Sequence, residues 1–191
     1  SLSVSEREHR IIETSNEVSR LGGLEYALKI LLNSAYGATG NAYFRFFDLR
    51  VAEAVTMSGQ VNIIYIASRL SEEINRLSKT DNSIDRVPYI DTDSNYLDCE
   101  TLVEIYTDNM KKKDIAVDSE MITDWLSGLF SKHFEPFIDK KYQEFAKYQN
   151  AYAHKMFMDR EVIAESAMWT AKKRYIMKVL DSEGVRFSKP K

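Results

Sequence analysis

The 191-residue sequence has one cysteine, no long apolar run, no initiating methionine and no surplus of positive charge. Cys99 alone excludes an internal disulfide and cannot by itself build a metal site, which fits a reducing compartment. No apolar stretch approaches the roughly 20 residues that span a bilayer, and the N-terminus lacks a basic segment followed by an apolar one. The chain therefore reads as soluble and unexported, with no membrane partner. Because Ser1 stands where Met would begin a translated chain, the sequence also reads as processed or cut from something longer. The formal net charge of −3 argues against simple electrostatic coating of a duplex, which draws on clustered Lys and Arg.

The charge is unevenly placed. From Glu72 to Asp124 there are 14 acidic and 6 basic residues, whereas from Lys172 to Lys191 there are 7 basic and 2 acidic. A middle suited to cations precedes an end suited to phosphates. With 44% hydrophobic residues the chain can bury one core and carry an appendage. No repeat or low-complexity segment interrupts it.

Residues 5–36, rich in Glu, Arg, Leu, Ile and Ala, are expected to form two helical stretches separated at Gly22-Gly23, with Gly37, Gly40 and Asn41 as the stop. Helical spacing of Phe47, Val51, Ala54, Val55, Ser58, Ile63, Ile66 and Leu70 predicts a long, largely buried helix over about 44–77. Residues 87–97 read as strand, turn and strand, with Asp91-Thr92-Asp93 at the turn. A helix over 100–113 follows, then an N-cap at Asp118 and helix over 119–148 despite Pro136. Residues 151–164 and 169–180 are expected as strands. The resulting class is α+β: a small antiparallel sheet of three or four strands, covered by long helices.

Three groups of residues carry chemistry. Lys29, Asn33 and Tyr36 fall within about 60° of one another on a helix, so an ammonium, an amide and a phenol face one ligand, such as a nucleoside triphosphate. Gly37 beside them lets backbone come close. An isolated stripe of this kind is more often a solvated face with a core tyrosine. Asp91 and Asp93 flank a tight turn, and hard divalent ions such as Mg²⁺ take such carboxylates together with water and phosphate oxygens. A calcium-binding EF-hand loop starting at Asp91 is excluded, because Tyr96 and Leu102 stand where it needs Gly and Glu. An aspartyl-phosphate phosphatase and an ordinary surface turn both fit the local pattern. The third group is Lys172-Lys173-Arg174-Tyr175, expected in a strand with Lys173 and Tyr175 on one face and Lys172 and Arg174 on the other. Glu161, upstream in Met156-Phe-Met-Asp-Arg-Glu161, adds a carboxylate whose ordinary explanation is a structural ion pair.

The order Lys-x-x-x-Asn-Ser-x-Tyr-Gly (29–37), Asp-Thr-Asp-Ser (91–94), Lys-Lys-Arg-Tyr (172–175) resembles the palm signature of family B DNA polymerases. Gly40-Asn41-Ala-Tyr-Phe-Arg-Phe-Phe-Asp48-Leu-Arg50 and the stretch ending at Glu161 resemble the T-even-phage branch in particular. The resemblance runs from about Lys29 to Pro190. It implies a fingers helix over 1–36 and a partial palm domain over 37–191. It further implies that Lys29 binds the triphosphate of a dNTP and that Asn33 and Tyr36 line the nascent base pair. Asp93 would be the principal metal-binding carboxylate, with Asp91 and Glu161 as nearby acidic groups. Lys173 and Tyr175 would contact the primer end of primer–template DNA, supported by Lys172 and Arg174. Two Mg²⁺ ions would assist attack of the primer 3′ oxygen on the α-phosphate, in the host cytoplasm.

The sequence departs from that family pattern. Ile90 stands where Gly commonly precedes the first Asp, and residues 164–169 lack the glycines of phage relatives. The family also needs a second catalytic Asp from an Asp-x-x-Ser-Leu-Tyr-Pro-Ser motif ahead of the Lys29 helix, yet residues 1–28 contain no Asp. The later string Asp124-Trp-Leu-Ser127 lacks the Tyr-Pro and lies in an expected helix. The expectation is a polymerase portion without exonuclease, first Asp motif or thumb, nearly inactive alone and dependent on those segments. The alternative is a non-catalytic, polymerase-derived DNA-binding or assembly module.

Overall fold

The computed structural model describes residues 3–187 and is α+β, as the pattern predicts. The chain divides into two compact units, Ser1–Ser58 and Gly59–Lys191. In the first, helix α1 (Val4–Thr39) opens with a capping box: the Ser3 hydroxyl accepts from the Glu6 N–H, and Glu6 accepts from the Ser3 N–H at 2.7 Å. The expected break at Gly22-Gly23 does not occur. Each interior glycine costs roughly 1 kcal/mol, but the flanking Leu, Glu, Ala and Lys residues are strong helix formers and carry the helix through. It ends at Thr39, where the Gly40 N–H meets the Gly37 and Ala38 carbonyls.

Helix α2 (Leu49–Ser78) crosses between the units. The expected burial along its whole length holds only from Asn62 onward; Val51, Val55 and Met57 are exposed. The core of the second unit gathers on Ile63, Ile66, Leu70 and Ile74 of α2, with Leu102 of α3 (Glu100–Lys111). Phe134, Ile138 and Tyr142 complete it. These come from a long helical stretch: α4 (Ser119–Leu129), capped by Asp118, a π-helical turn (Phe130–Phe134), and α5 (Glu135–Tyr148). Pro136 follows directly on the π turn, where the Glu135 N–H already bonds the Phe130 carbonyl and the regular ladder is interrupted. The extra residue of the π turn brings His133 Nε2 to 2.6 Å from Glu73 of α2, while Phe134 is fully buried.

The strands form two antiparallel sheets rather than one. Strands β1 (Tyr89–Asp91) and β2 (Ser94–Tyr96) make a short hairpin. Its base is held by Arg86, a side chain 8% exposed, which donates to Asn75 Oδ1 (2.9 Å) and Asp98 (3.1 Å), while its carbonyl accepts from the Asp98 N–H. The second sheet is β3 (Val162–Ala171), β4 (Arg174–Ser182) and β5 (Val185–Arg186). Two strand expectations do not hold. Residues 151–161 have no strand, despite their β-prone composition; His154 instead bonds Asp139 of α5 at 3.0 Å and holds the segment by side chains. The second is the place of Lys172 and Lys173, which form the turn between β3 and β4, with Lys173 at φ 62°. The strand alternation expected across Lys172–Tyr175 therefore fails. Among the described residues no helix is long and apolar enough to cross a membrane.

Asp181 of β4, 1% exposed, ties this sheet to α4. It takes an ion pair from Arg160 and a second from Arg186 Nε at 3.0 Å, and Arg186 also reaches Asp124 at 2.7 Å. Removing Asp181 leaves the largely buried Arg160 guanidinium without a carboxylate and Arg186 with Asp124 alone. Asp181→Ala is expected to lower stability by about 3 kcal/mol in urea denaturation; a change within about 0.5 kcal/mol would mean that the pair contributes nothing.

Glu73 supplies a pH-dependent term. Its carboxyl is held below the ordinary range chiefly by the Arg76 guanidinium, with His133 adding and burial opposing. A depressed folded pKa stabilises above the unfolded value, about 4.3, and that contribution disappears as pH falls through the folded value. Denaturation midpoints should therefore drop on acidification below about pH 4.3, and Glu73→Gln should flatten that part of the profile. An unchanged profile would contradict this assignment.

Candidate functional site

On α1, Lys29, Asn33 and Tyr36 share one exposed stripe, as their spacing requires. Lys29 pairs with Glu25 one turn earlier at 2.8 Å, and this contact lowers the Glu25 pKa. The Tyr36 hydroxyl lies 2.7 Å from Thr56 Oγ1. Since the Thr56 hydroxyl donates to the Ala52 carbonyl at 3.0 Å, Tyr36 serves as the donor to Thr56 and its ring is fixed on the helix. A side chain placed at Gly37 would meet nothing within 4 Å, so packing inside the chain does not demand glycine there.

In the second unit the Asp91–Ser94 turn is built by the chain itself. Asp91 opposes Ser94 and Tyr89 opposes Tyr96, so these four share one face of the hairpin. Ile90 and Asn95 point the other way, and Asn95 Nδ2 lies 3.9 Å from the Met158 sulfur. Thr92 occupies the left-handed region at φ 47°, an uncommon place for a β-branched residue. Its hydroxyl donates to Asp91 Oδ1 at 3.1 Å, and the Ser94 hydroxyl donates to the Asp91 carbonyl at 3.1 Å. Asp93 projects at the exposed tip.

The aromatic face meets the β3–β4 turn. Tyr89 stacks on Trp169 with ring centroids 5.6 Å apart, and Tyr96 meets Trp169 edge-on at 5.3 Å and Tyr175 at 5.7 Å. The Tyr89 hydroxyl accepts a hydrogen bond from the Lys173 N–H at 3.1 Å. Burial pushes the Tyr96 phenol up to about 12, with its bond to Tyr175 and the negative charge of Asp91 adding. The carboxylate turn and the basic turn therefore border one cleft of about 1920 Å³, which Asp91, Asp93, Glu161, Lys173 and Tyr175 all line. Lys172 and Arg174 do not line it. Among the described residues no three acidic, His or Cys side chains converge as a metal cluster, so Glu161 borders the cleft without joining Asp91 and Asp93 in one ligand set. Its carbonyl accepts from the Glu183 N–H at 2.7 Å.

Residues 10–188 match the sequence model of DNA polymerase family B. The chain belongs to that family. It is 39% identical over 171 residues to the DNA-directed DNA polymerase of Enterobacteria phage T4 and 36% identical over 171 residues to that of Escherichia phage RB69. Each match covers 85% of this chain and 18% of the relative. This family B chain thus spans under a fifth of the length of those relatives.

Tyr89, Tyr96 and Trp169 were not singled out by the motif reading. A signal for them was present: Tyr89 and Tyr96 stand three residues either side of Thr92-Asp93, and Trp169 and Tyr175 flank Lys172-Lys173, as cross-strand pairs beside a tight turn do.

The left-handed Thr92 gives a direct test. Asn tolerates that conformation better than a β-branched side chain, so Thr92→Asn is expected to raise stability by about 1 kcal/mol. A fall in the thermal midpoint would show that the Thr92 hydroxyl contact outweighs the backbone strain.

Proposed function

We propose that this chain is the nucleotide- and primer-binding part of a DNA-directed DNA polymerase active site, comprising a fingers helix over 1–36 and a partial palm over 37–191. The observation that carries the reading is the convergence of the Asp91–Asp93 turn with Lys173 and Tyr175 on one cleft, in a chain of family B. That arrangement unites what phosphoryl transfer needs: carboxylates for divalent cations, and cationic and phenolic groups for a nucleic-acid end.

On α1, Lys29 would neutralise triphosphate oxygens of a dNTP, leaving its pairing with Glu25, while Asn33 and Tyr36 face the nascent base pair. Gly37 leaves room for close approach. The Thr56 contact holds Tyr36 in one orientation before substrate arrives, which limits the entropy lost on binding. Asp91 and Asp93 suit Mg²⁺, since that ion takes one or two protein carboxylates and fills its remaining positions with water and phosphate oxygens. Bound there, Mg²⁺ would supply positive charge to the attacking and leaving oxygens. Asp93 sits exposed at the turn tip, where its oxygens are open to such ligands, and Asp91 is steadied by the Thr92 hydroxyl. Lys173 and Tyr175 would hold primer phosphate and sugar, with Lys172 and Arg174 adding charge outside the cleft. Glu161 would act as a neighbouring acidic group. A second catalytic carboxylate is needed and residues 1–28 contain no Asp, so it would come from another polymerase segment.

A second reading, a non-catalytic assembly module that docks onto another polypeptide, draws on the many exposed apolar side chains of α1, among them Leu21, Leu24, Leu28 and Leu32. One experiment separates the two. The purified chain is assayed for binding of a primer–template duplex and for primer extension, alone and mixed with a polymerase segment bearing the Asp-x-x-Ser-Leu-Tyr-Pro-Ser motif. Binding alone, extension only in the mixture, and at least roughly a thousandfold loss of extension in Asp93→Asn are expected. Lys173→Ala should weaken binding and reduce the salt slope by about one. Extension by the isolated chain would overturn the divided-site account, and complex formation without extension would favour the module.

A further inference from the structure

The four aromatic rings between the two turns are joined across the sheets as well as within them. Tyr89 pairs with Tyr96 across β1–β2, and Trp169 pairs with Tyr175 across β3–β4. Among the described residues the ring contacts between the hairpins all involve Trp169 or Tyr96: Trp169 touches both tyrosines of the first hairpin, and Tyr96 touches both aromatics of the second. The Trp169 indole N–H is buried with no acceptor among the described residues. The ring is held by its stacked contact with Tyr89 and its edge-on contact with Tyr96.

At the tip itself little else holds Lys173. Its residue is in the left-handed region, its side chain has no ion-pair partner among the described residues, and its N–H is bonded to Tyr89. Tyr89 is in turn placed by Trp169 and Tyr96. A two-residue turn on a long hairpin has freedom to bend and twist, so its offset from a neighbouring turn must be set by contacts between the hairpins.

We propose that Trp169 and Tyr96 are positioning residues that hold Lys173 at a fixed offset from the Asp91–Asp93 turn, so that the basic tip and the carboxylates engage the same DNA end. Neither touches the reacting atoms. Their effect passes through Tyr89 to the Lys173 backbone and through the Tyr96–Tyr175 contact to the Tyr175 ring. The consequence for DNA binding rests on the polymerase reading above, whereas the positioning of the tip does not.

Two measurements on the 191-residue chain test this. Amide hydrogen exchange at Lys173 reports the tip directly. Trp169→Leu and Tyr96→Leu should each speed exchange about tenfold or more, whereas Trp169→Phe and Tyr96→Phe, which keep rings at these positions, should change it by less than about threefold. The amides of α5 serve as a folding control and should exchange as in the parent chain. The second measurement is the affinity for a fluorescently labelled primer–template duplex, in a double-mutant cycle with Lys173→Ala. Trp169→Leu should weaken binding about tenfold in the parent chain and by less than about twofold when Lys173 is already Ala. Unchanged Lys173 exchange in both Leu variants would overturn the positioning role. Equal losses of affinity in both backgrounds would also overturn it, since Trp169 would then act independently of Lys173. Faster exchange in a chain that never binds the duplex would sustain the positioning role and count against the polymerase reading instead.

Discussion

The contact between the β1–β2 hairpin and the β3–β4 turn is the constraint on which the cleft depends. Each hairpin is short or narrow, and each ends in a charged turn of opposite sign: Asp91 and Asp93 on one, Lys172 and Lys173 on the other. Charge attraction between exposed groups is weak and screened at physiological salt, so it cannot fix a spacing. Packed aromatic pairs can, because each ring buries a large area and adds roughly 1 kcal/mol for a well-set neighbour. Tyr89, Tyr96, Trp169 and Tyr175 thus convert two flexible turns into one site with acid on one wall and base on the other.

A second layer of polar contacts keeps the hairpins themselves in place. Arg86, almost fully buried, spends its guanidinium on Asn75 and Asp98 at the base of the first hairpin. Asp181 does the converse at the far end of the second hairpin, gathering Arg160 and Arg186 and, through Arg186, Asp124 of α4. Buried charges of this kind add little net stability over an apolar core but are costly to break. The basic end of the chain consequently has a divided use. Lys178 pairs with Glu165 and Arg186 with Asp124 and Asp181, while the side chains of Lys172, Lys173 and Arg174 make no ion pair among the described residues.

Much of the architecture was readable from the amino-acid pattern. The class, the capped starts at Asp118, the hairpin around Asp91-Thr92-Asp93 and the stripe of Lys29, Asn33 and Tyr36 follow from periodicity and turn chemistry, which are local properties. Expectation and structure part where strong neighbouring helix formers or a nonlocal contact outweigh a single local signal. Two glycines could not interrupt α1 between strong helix formers, and residues 151–161 were held by His154 and Arg160 rather than by strand pairing. Lys172 and Lys173 lack the usual turn residues, so their turn was not legible from composition; it exists because the flanking strands pair, Trp169 with Tyr175 and Ala171 with Arg174.

The sequence by itself determined the membership of the chain in DNA polymerase family B, since the ordered motifs lie within the matched residues 10–188, and it determined which side chains could carry chemistry. Tertiary structure decided which of them meet. Lys173, Tyr175, Asp91, Asp93 and Glu161 reach one cleft, whereas Lys172 and Arg174 lie outside it and Glu161 forms no cluster with the two aspartates. The physical reason is range. Motif spacing fixes the direction of a side chain along its own helix or strand, but the separation of two turns some eighty residues apart is set by the rings packed between them.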